Sequence, residues 1–482
     1  MHLGRYSLGL LAVSFSIFTL GARTFAADKV KPQGKKPPKV QTITDETLKQ
    51  LDEARRQESH EHPLHQPLKH FQFPNECHEK QTWSFEQSLC LALPEEKSTD
   101  YVYSVHGNAF FVGIQQSGTR GRDDWASPNH VSANLGHTVG EFHFLNVNTM
   151  LTAERWTFPG SGYPHVLQMG ETKDNHRPYI DAQHPHSSPI MGLTLSDTIR
   201  LDWSSDDTLR VFFAPRGAST DGPIAFMHRP TAILNPDVPL GHHIGQDSGH
   251  ISSTVLGAAL TSQELSLELS AFNGAEPHPS EIDLPMDVPN SLAARLSYTF
   301  GESFVASGSF AYVDEPHPHP HTASPALALV SGYDPYEHVT KMNRLSLSGY
   351  HQWIVSDTLT IYNTLIFGNL RTFGLNASKN SVTHELLLRS LPHHVWTRAE
   401  WLERAPAELG IRNLPDPYRD RRVGAFTLGY TYMIYDFGPV QFAGGVSGTK
   451  SFLNGEMISS YGENPWTGKA FIQLSGGGHG LL

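Results

Sequence analysis

The sequence predicts an all-β chain, a transmembrane antiparallel β-barrel of about sixteen strands (roughly 14 to 18) behind a partly disordered N-terminal segment. Three observations carry this. From Tyr101 onward the text runs in short apolar alternations broken by Gly, Asn, Asp and Pro, which is strand texture. The connections between these runs alternate short and long, as periplasmic turns and outer loops do. The N-terminus reads as an export signal, and no later stretch is a long apolar helix.

The opening "MHLGRYSLGLLAVSFSIFTLGARTFAADKV" has Arg5, an apolar run from about Leu8 to Leu20, and small residues before Asp28. That run is too short to span a bilayer, so residues 1–26 are expected to be a signal peptide cleaved after Ala26. The expected destination is the outer membrane, with its lipid as one partner. A net charge of -12 excludes nucleic acid as a partner class.

Residues 27–100 form a second expected region, rich in Lys, Pro and His in its first part. Thr44 can cap a short helix that ends near Arg55 and Arg56. His60, His62, His65 and His70 then make either a polar linker or a weak metal-collecting tail. Cys77 and Cys90, the only two cysteines, are expected to pair in an oxidising compartment. The rival reading is a metal site of Cys77, His78 and Cys90, for which no second ligand pair stands nearby.

Residues 101–482 are the expected barrel. In "LSLELSAF", Leu265, Leu267, Leu269 and Ala271 share one face, and Ser266, Glu268 and Ser270 the other. "RLSLSGY" from Arg344 repeats the pattern. Strands are expected near residues 108, 129, 141, 189, 208, 250, 264, 291, 303, 342, 358, 381, 394, 422, 438 and 466. Short turns fall after Thr138 and at 204–207, 261–263, 301–303, 355–358, 392–393 and 437–439. Long loops cover 152–187, 216–249, 273–290, 313–340, 404–420 and 450–465. Phe272, Tyr298, Phe300, Trp353 and Tyr435, at strand ends, fit interfacial girdles. The ending "SGGGHGLL" places the end of the last strand near Leu474.

Polar residues at inward positions complete the picture. Glu385, Leu387 and Arg389 share one face of their strand, and Trp396, Arg398 and Glu400 one face of the next. A buried ion-pair network bracing the wall is favoured over a ladder that reads solutes, because unpaired interior charges are costly.

Two loops carry dense ligand chemistry. The first includes "DAQHPHSSP", the second "AFMHRPTAILNPDVPLGHHIGQDSGHI". Imidazole is the commonest metal ligand, and carboxylate oxygen and Met sulfur widen the choice to zinc, copper or nickel. His184, His186, His228, His242, His243, Asp247 and His250 are therefore expected to converge at the barrel mouth as a site for a divalent transition metal, with structural fastening by hydrogen bonds as the alternative. Metal affinity is expected to fall as pH drops through roughly 6.5, where unperturbed histidine protonates. Together these features give a porin-like channel with inward-folded loops, for small solutes or metal ions, and no catalytic residues. The alternatives are a hydrolase using Ser248 and His250, whose "QDSGH" lacks the glycine expected of a serine nucleophile loop, and a purely structural envelope barrel.

The wording "GYP", "LQMGE", "QHPH", "AFMHRP", "GHH" and "ELSAFNG" between Gly162 and Phe300 resembles that of poorly characterised outer-membrane-type proteins of Gram-negative bacteria. That resemblance implies the barrel and the envelope, and no activity. The chain departs from it at "HPHSS", where an acidic residue usually follows the second histidine, and at the extra Gly245 between His243 and Asp247.

Overall fold

The computed structural model describes residues 73–74, 77, 81–86, 88–92, 101–173, 177–186, 188–201, 207–247, 249–275, 282, 284, 286–301, 303–314, 341–373 and 377–481. The expected signal peptide, the helix from Thr44, the tail histidines, His78 and Ser248 lie outside these residues.

The described strands are β1 (Gln81–Ser84), β2 (Leu89–Ala92), β3 (Tyr101–Gln116), β4 (Asp124–Ala126), β5 (Asn129–Val139), β6 (His143–Leu151), β7 (Tyr163–Lys173), β8 (Arg177–Gln183), β9 (Ile190–Arg200), β10 (Thr208–Gly217), β11 (Ser252–Ser262), β12 (Leu265–Asn273), β13 (Ser291–Phe300), β14 (Phe304–Asp314), β15 (Lys341–Ser356), β16 (Leu359–Thr372), β17 (Ala377–Ser390), β18 (His393–Arg404), β19 (Arg421–Asp436), β20 (Val440–Phe452) and β21 (Trp466–Leu481). All but β1, β2, β7 and β8 form one closed antiparallel barrel. The short β4 and β5 both pair with β3 and act as one interrupted strand, so the wall has sixteen strands. The seam joins β21 to β3, from Thr467 opposite Gln116 to Leu481 opposite Val102. Closure removes the free edges that a sheet in hydrocarbon cannot leave unpaired.

The alternation that predicted the strands sets the two faces. Leu265, Leu267 and Leu269 are exposed on the outside, and Glu268 and Ser270 are buried inside. Arg344, Ser346, Ser348 and Tyr350 point inward, and Leu345 and Leu347 outward. The sequence-predicted short turns after Thr138 and at 261–263, 355–358, 392–393 and 437–439 lie at one end of the barrel, and those at 204–207 and 301–303 fall partly outside the described residues. Tyr298, Phe300, Trp353 and Tyr435 are exposed near that end. Phe272 corrects the girdle assignment. It has the inward parity of Glu268 and Ser270, and it is 2% exposed in the core. The last strand also runs past Leu474 to Leu481, since its glycine backbone completes the ladder with Val102–His106 whatever the missing side chains cost.

The lumen is filled. The loop at 218–251, between β10 and β11, turns inward and nearly all of its residues are buried. Leu240 and Ile244 join Val313, Met342, Leu370 and Leu402 of the wall in one core cluster. A second cluster brings Ile224 and Ile233 to Tyr350, Tyr362, Leu387 and Trp396. Cys77, ahead of β1, forms a disulfide with Cys90 of β2. Phe85 beside this hairpin meets Tyr350 edge-on at 5.7 Å and lies under the Arg295 guanidinium. Phe73 packs against Tyr362 at 6.2 Å.

The loop at 152–189 carries a feature that alternation alone does not reveal, the hairpin β7–β8. Its Tyr163 hydroxyl donates to Asp237 of the inward loop at 2.6 Å, which ties the two loops together.

Candidate metal centre

Polar groups of the wall hold the inward loop along its length. Glu385 on β17 accepts from Arg229 through two nitrogens, both at 3.1 Å, from Thr231 at 2.7 Å and from Arg398 at 2.9 Å. Arg398 also donates to the Asp237 carbonyl at 2.7 Å, and Leu240 N–H donates to Glu400 at 2.6 Å. The interior charges therefore brace the loop as well as the wall. Burial pushes the Asp237 carboxyl up, but the Lys469 ammonium, His165 and the Tyr163 hydroxyl outweigh it and hold the group at about 2.

The segment His242–Gln246 then makes a tight turn against the wall. The Ser381 hydroxyl donates to the Ile244 carbonyl at 2.7 Å, and the Thr383 hydroxyl to the Gln246 side chain at 2.7 Å. Gly245 sits at φ +68°, and a Cβ there would lie 2.9 Å from the Asn369 nitrogen and the Leu345 carbonyl oxygen. Only glycine fits this conformation at this distance without strain. The glycine that departs from the similar family wording is thus the residue that lets the turn touch the wall.

Five histidines then close a ring. His242 and His243 have ring centres 4.6 Å apart, His243 and His184 5.7 Å, His184 and His186 5.8 Å, His186 and His250 5.7 Å, and His250 and His242 5.0 Å. The inward loop supplies three and the loop at 152–189 two. An ion held ~2.0 to 2.1 Å from a ring nitrogen lies about 3 Å from that ring's centre, so two imidazoles sharing an ion are centred about 5 to 6 Å apart. Four of the five spacings fall in that range, and among the described residues only His242, Asp247 and His250 bring three ligand atoms within 4.8 Å of one another.

Asp247 supplies the carboxylate. Ligand atoms of His242, Asp247 and His250 lie within 4.8 Å of one another. The Phe226 N–H donates to Asp247 Oδ2 at 3.0 Å, which fixes the carboxylate. His250 Nδ1 lies 2.6 Å from the Asp247 carbonyl, and its Nε2 is buried. His242 and Asp247 are buried, and His184, His186, His243 and His250 are partly exposed.

Burial depresses the His242 pKa well below its ordinary value, and neighbouring His243, His250, His184 and His186 depress it further. The His242 imidazole thus keeps its lone pair well below pH 6.5. Burial raises the Asp247 carboxyl, while His250 and Arg229 pull it back down.

His228, also expected in this group, occupies a neighbouring position. Its ring meets His106 edge-on at 5.6 Å and His130 at 5.9 Å. Glu154 is a residue that sequence reasoning missed. Its carboxylate lies 2.7 Å from His186 Nδ1 and accepts from the His186 N–H at 3.2 Å, which orients that ring as a supporting carboxylate does for a metal-binding histidine. One of 48 acidic residues, it carries no local signal that marks it.

No protein-family model matches the chain, and no curated protein matches its sequence at a significant level. Solved structures with a similar course include the OmpF complex with daunomycin from Salmonella typhi, at a TM-score of 0.45 and 9% identity, covering 78% of this chain and 97% of that one. Outer-membrane expressed OmpT of Vibrio cholerae has a TM-score of 0.43 and 6% identity, covering 79% and 99%. An anion-selective porin from Comamonas acidovorans has a TM-score of 0.43 and 10% identity, covering 78% and 99%. Likenesses at these values say nothing of what this chain does.

Proposed function

We propose that the chain is a porin-like channel of the outer membrane whose inward-folded loops bind a divalent transition metal, zinc, copper or nickel, at the barrel mouth. The observation that carries the reading is the group of His242, Asp247 and His250, beside which His243 and the other loop's His184 and His186 stand. His242, Asp247 and His250 are the inner ligands. His184, His186 and His243 complete the set from the more open side. Neutral nitrogen donors with one carboxylate suit these borderline metals better than calcium or magnesium. The apolar outer wall supports the membrane location, and the loop-filled lumen supports a narrow, controlled pathway over a wide pore.

The test uses the full chain in detergent. Zinc, copper and nickel are titrated into wild type and into a His242→Ala, His243→Ala double variant, so that tail histidines give the same background in both. Micromolar binding in wild type that weakens at least about tenfold in the variant supports the site. Equal binding in both means that the cluster only fastens the loop. Bilayer conductance with and without the bound metal tests the channel, and a barrel that passes no current in either state sinks that half of the reading.

A further inference from the structure

Behind Asp247 and His250 lies a second arrangement with different chemistry. A cavity of about 50 Å³ is lined by those two residues at one side and by His106, His228, Met150, Met191 and Met227 elsewhere. Met191 and Met227 are buried together in one cluster, with Met150 packed against it. The chain has nine methionines, so a third of them meet at one small cavity. His228 is the centre of the imidazole side, with the rings of His106 and His130 centred 5.6 and 5.9 Å away. The Nδ1 of His228 is buried and, among the described residues, has no hydrogen-bond partner. A buried polar atom in that state calls for an explanation, and a ligand supplies one.

We infer that His228, with His106 and the thioethers of Met150, Met191 and Met227, forms a second metal site selective for copper(I). Thioether sulfur is a soft donor that favours copper(I) over zinc or nickel, whereas the His242 site offers only nitrogen and oxygen. The methionine side chain is flexible enough to adjust its sulfur around an ion without moving the backbone. Burial of the site keeps water away and favours the low-charge ion. The two sites share the wall formed by Asp247 and His250, so they stand in series from the partly exposed imidazole ring inward. The inference does not depend on metal binding at the His242 ring.

The experiment uses the full chain in detergent, anaerobically with ascorbate, and bicinchoninate as the competing copper(I) chelator. Wild type is compared with a Met191→Leu, Met227→Leu variant, in which leucine keeps the volume and removes the sulfur, and with the His242→Ala, His243→Ala variant. The expected result is that the leucine variant loses about tenfold or more in copper(I) affinity while its zinc binding is unchanged, and that the His242 variant keeps its copper(I) affinity. X-ray absorption of copper(I)-loaded wild type should show sulfur ligands. Copper(I) surrounded by nitrogen alone overturns the proposal, even where the leucine variant proves unstable. So does a leucine variant that binds copper(I) as tightly as wild type, or a loss of copper(I) confined to the His242 variant.

Discussion

Arg229 of the inward loop and Glu385 of strand β17 are 156 residues apart in the chain and meet in a two-pronged ion pair, both side chains fully buried. A planar guanidinium on a carboxylate fixes orientation as well as distance. Glu385 also holds Arg398, so its removal leaves two buried cations without their carboxylate. Glu385→Gln should therefore destabilise the closed form by about 3 to 5 kcal/mol. Guanidinium unfolding in detergent measures this, and bilayer conductance should rise as the loop is released. A combined Arg229→Met, Glu385→Leu variant should lose less than the two single changes summed.

The contact of the His242–Gln246 turn with the wall depends on two glycines. A Cβ on Gly368 would lie 2.1 Å from the Ile244 carbonyl oxygen, and one on Gly245 would meet strand backbone at 2.9 Å in a left-handed conformation. Gly245→Ala carries about 1 to 2 kcal/mol from its backbone conformation alone, before the clash is counted. Either alanine variant should keep the barrel closed, as read from heat-dependent gel migration, yet make the loop sensitive to protease and weaken zinc binding. A variant that stays resistant and binds zinc as wild type does would show that the turn does not need this contact.

His165 on the β7–β8 hairpin gives the pH dependence. Burial lowers its pKa to about 3, with Lys469, Arg398 and Arg404 adding to the effect and Asp237 opposing it. Between about 6.5 and 3 the unfolded chain binds a proton here that the folded chain does not, so stability decreases as pH falls through that window. The slope approaches about 1.4 kcal/mol per pH unit from this one group. Hydrogen exchange of the hairpin should accelerate as pH is lowered from 7 to 4, after correction for the intrinsic rate, and His165→Gln should flatten the trend. An unchanged trend in that variant would assign the acid sensitivity elsewhere.

Much of the barrel is legible because hydrocarbon outside and polar groups inside force period two onto each strand. Leu265, Leu267 and Leu269 against Glu268 and Ser270 report both faces at once. The same parity explains Phe272, which end-of-strand position misassigned and strand parity places correctly. The candidate site was legible as composition, since His242, His243, Asp247 and His250 crowd one loop. Its geometry was only partly so. That His184 would come near His243 follows from the topology, which puts both long loops at the same end, but nothing local in the text says that Glu154 will orient His186 or that His228 will turn to His106 and His130. Those neighbours are set by how two loops pack inside a closed wall, which is a property of the whole chain. The hairpin β7–β8 was missed for a related reason, as its register is broken by bulges that blur any period.

The seam between β3 and β21 joins the two ends of the wall around a loop already seated within it. Asn108 of β3 and Gln473 of β21, 365 residues apart, both donate to the Ile233 carbonyl of that loop. Order of assembly follows from this. A wall that sealed first would have to admit some thirty residues through its own mouth, and until then Lys469 would lack Asp237, and Glu385 would hold only Arg398 without Arg229 and Thr231. Seating the loop during closure avoids that state, so the interior acts as the mandrel on which the cylinder is rolled. The slow step of biogenesis should then be sensitive to Ile233 and its neighbours, residues that never touch lipid.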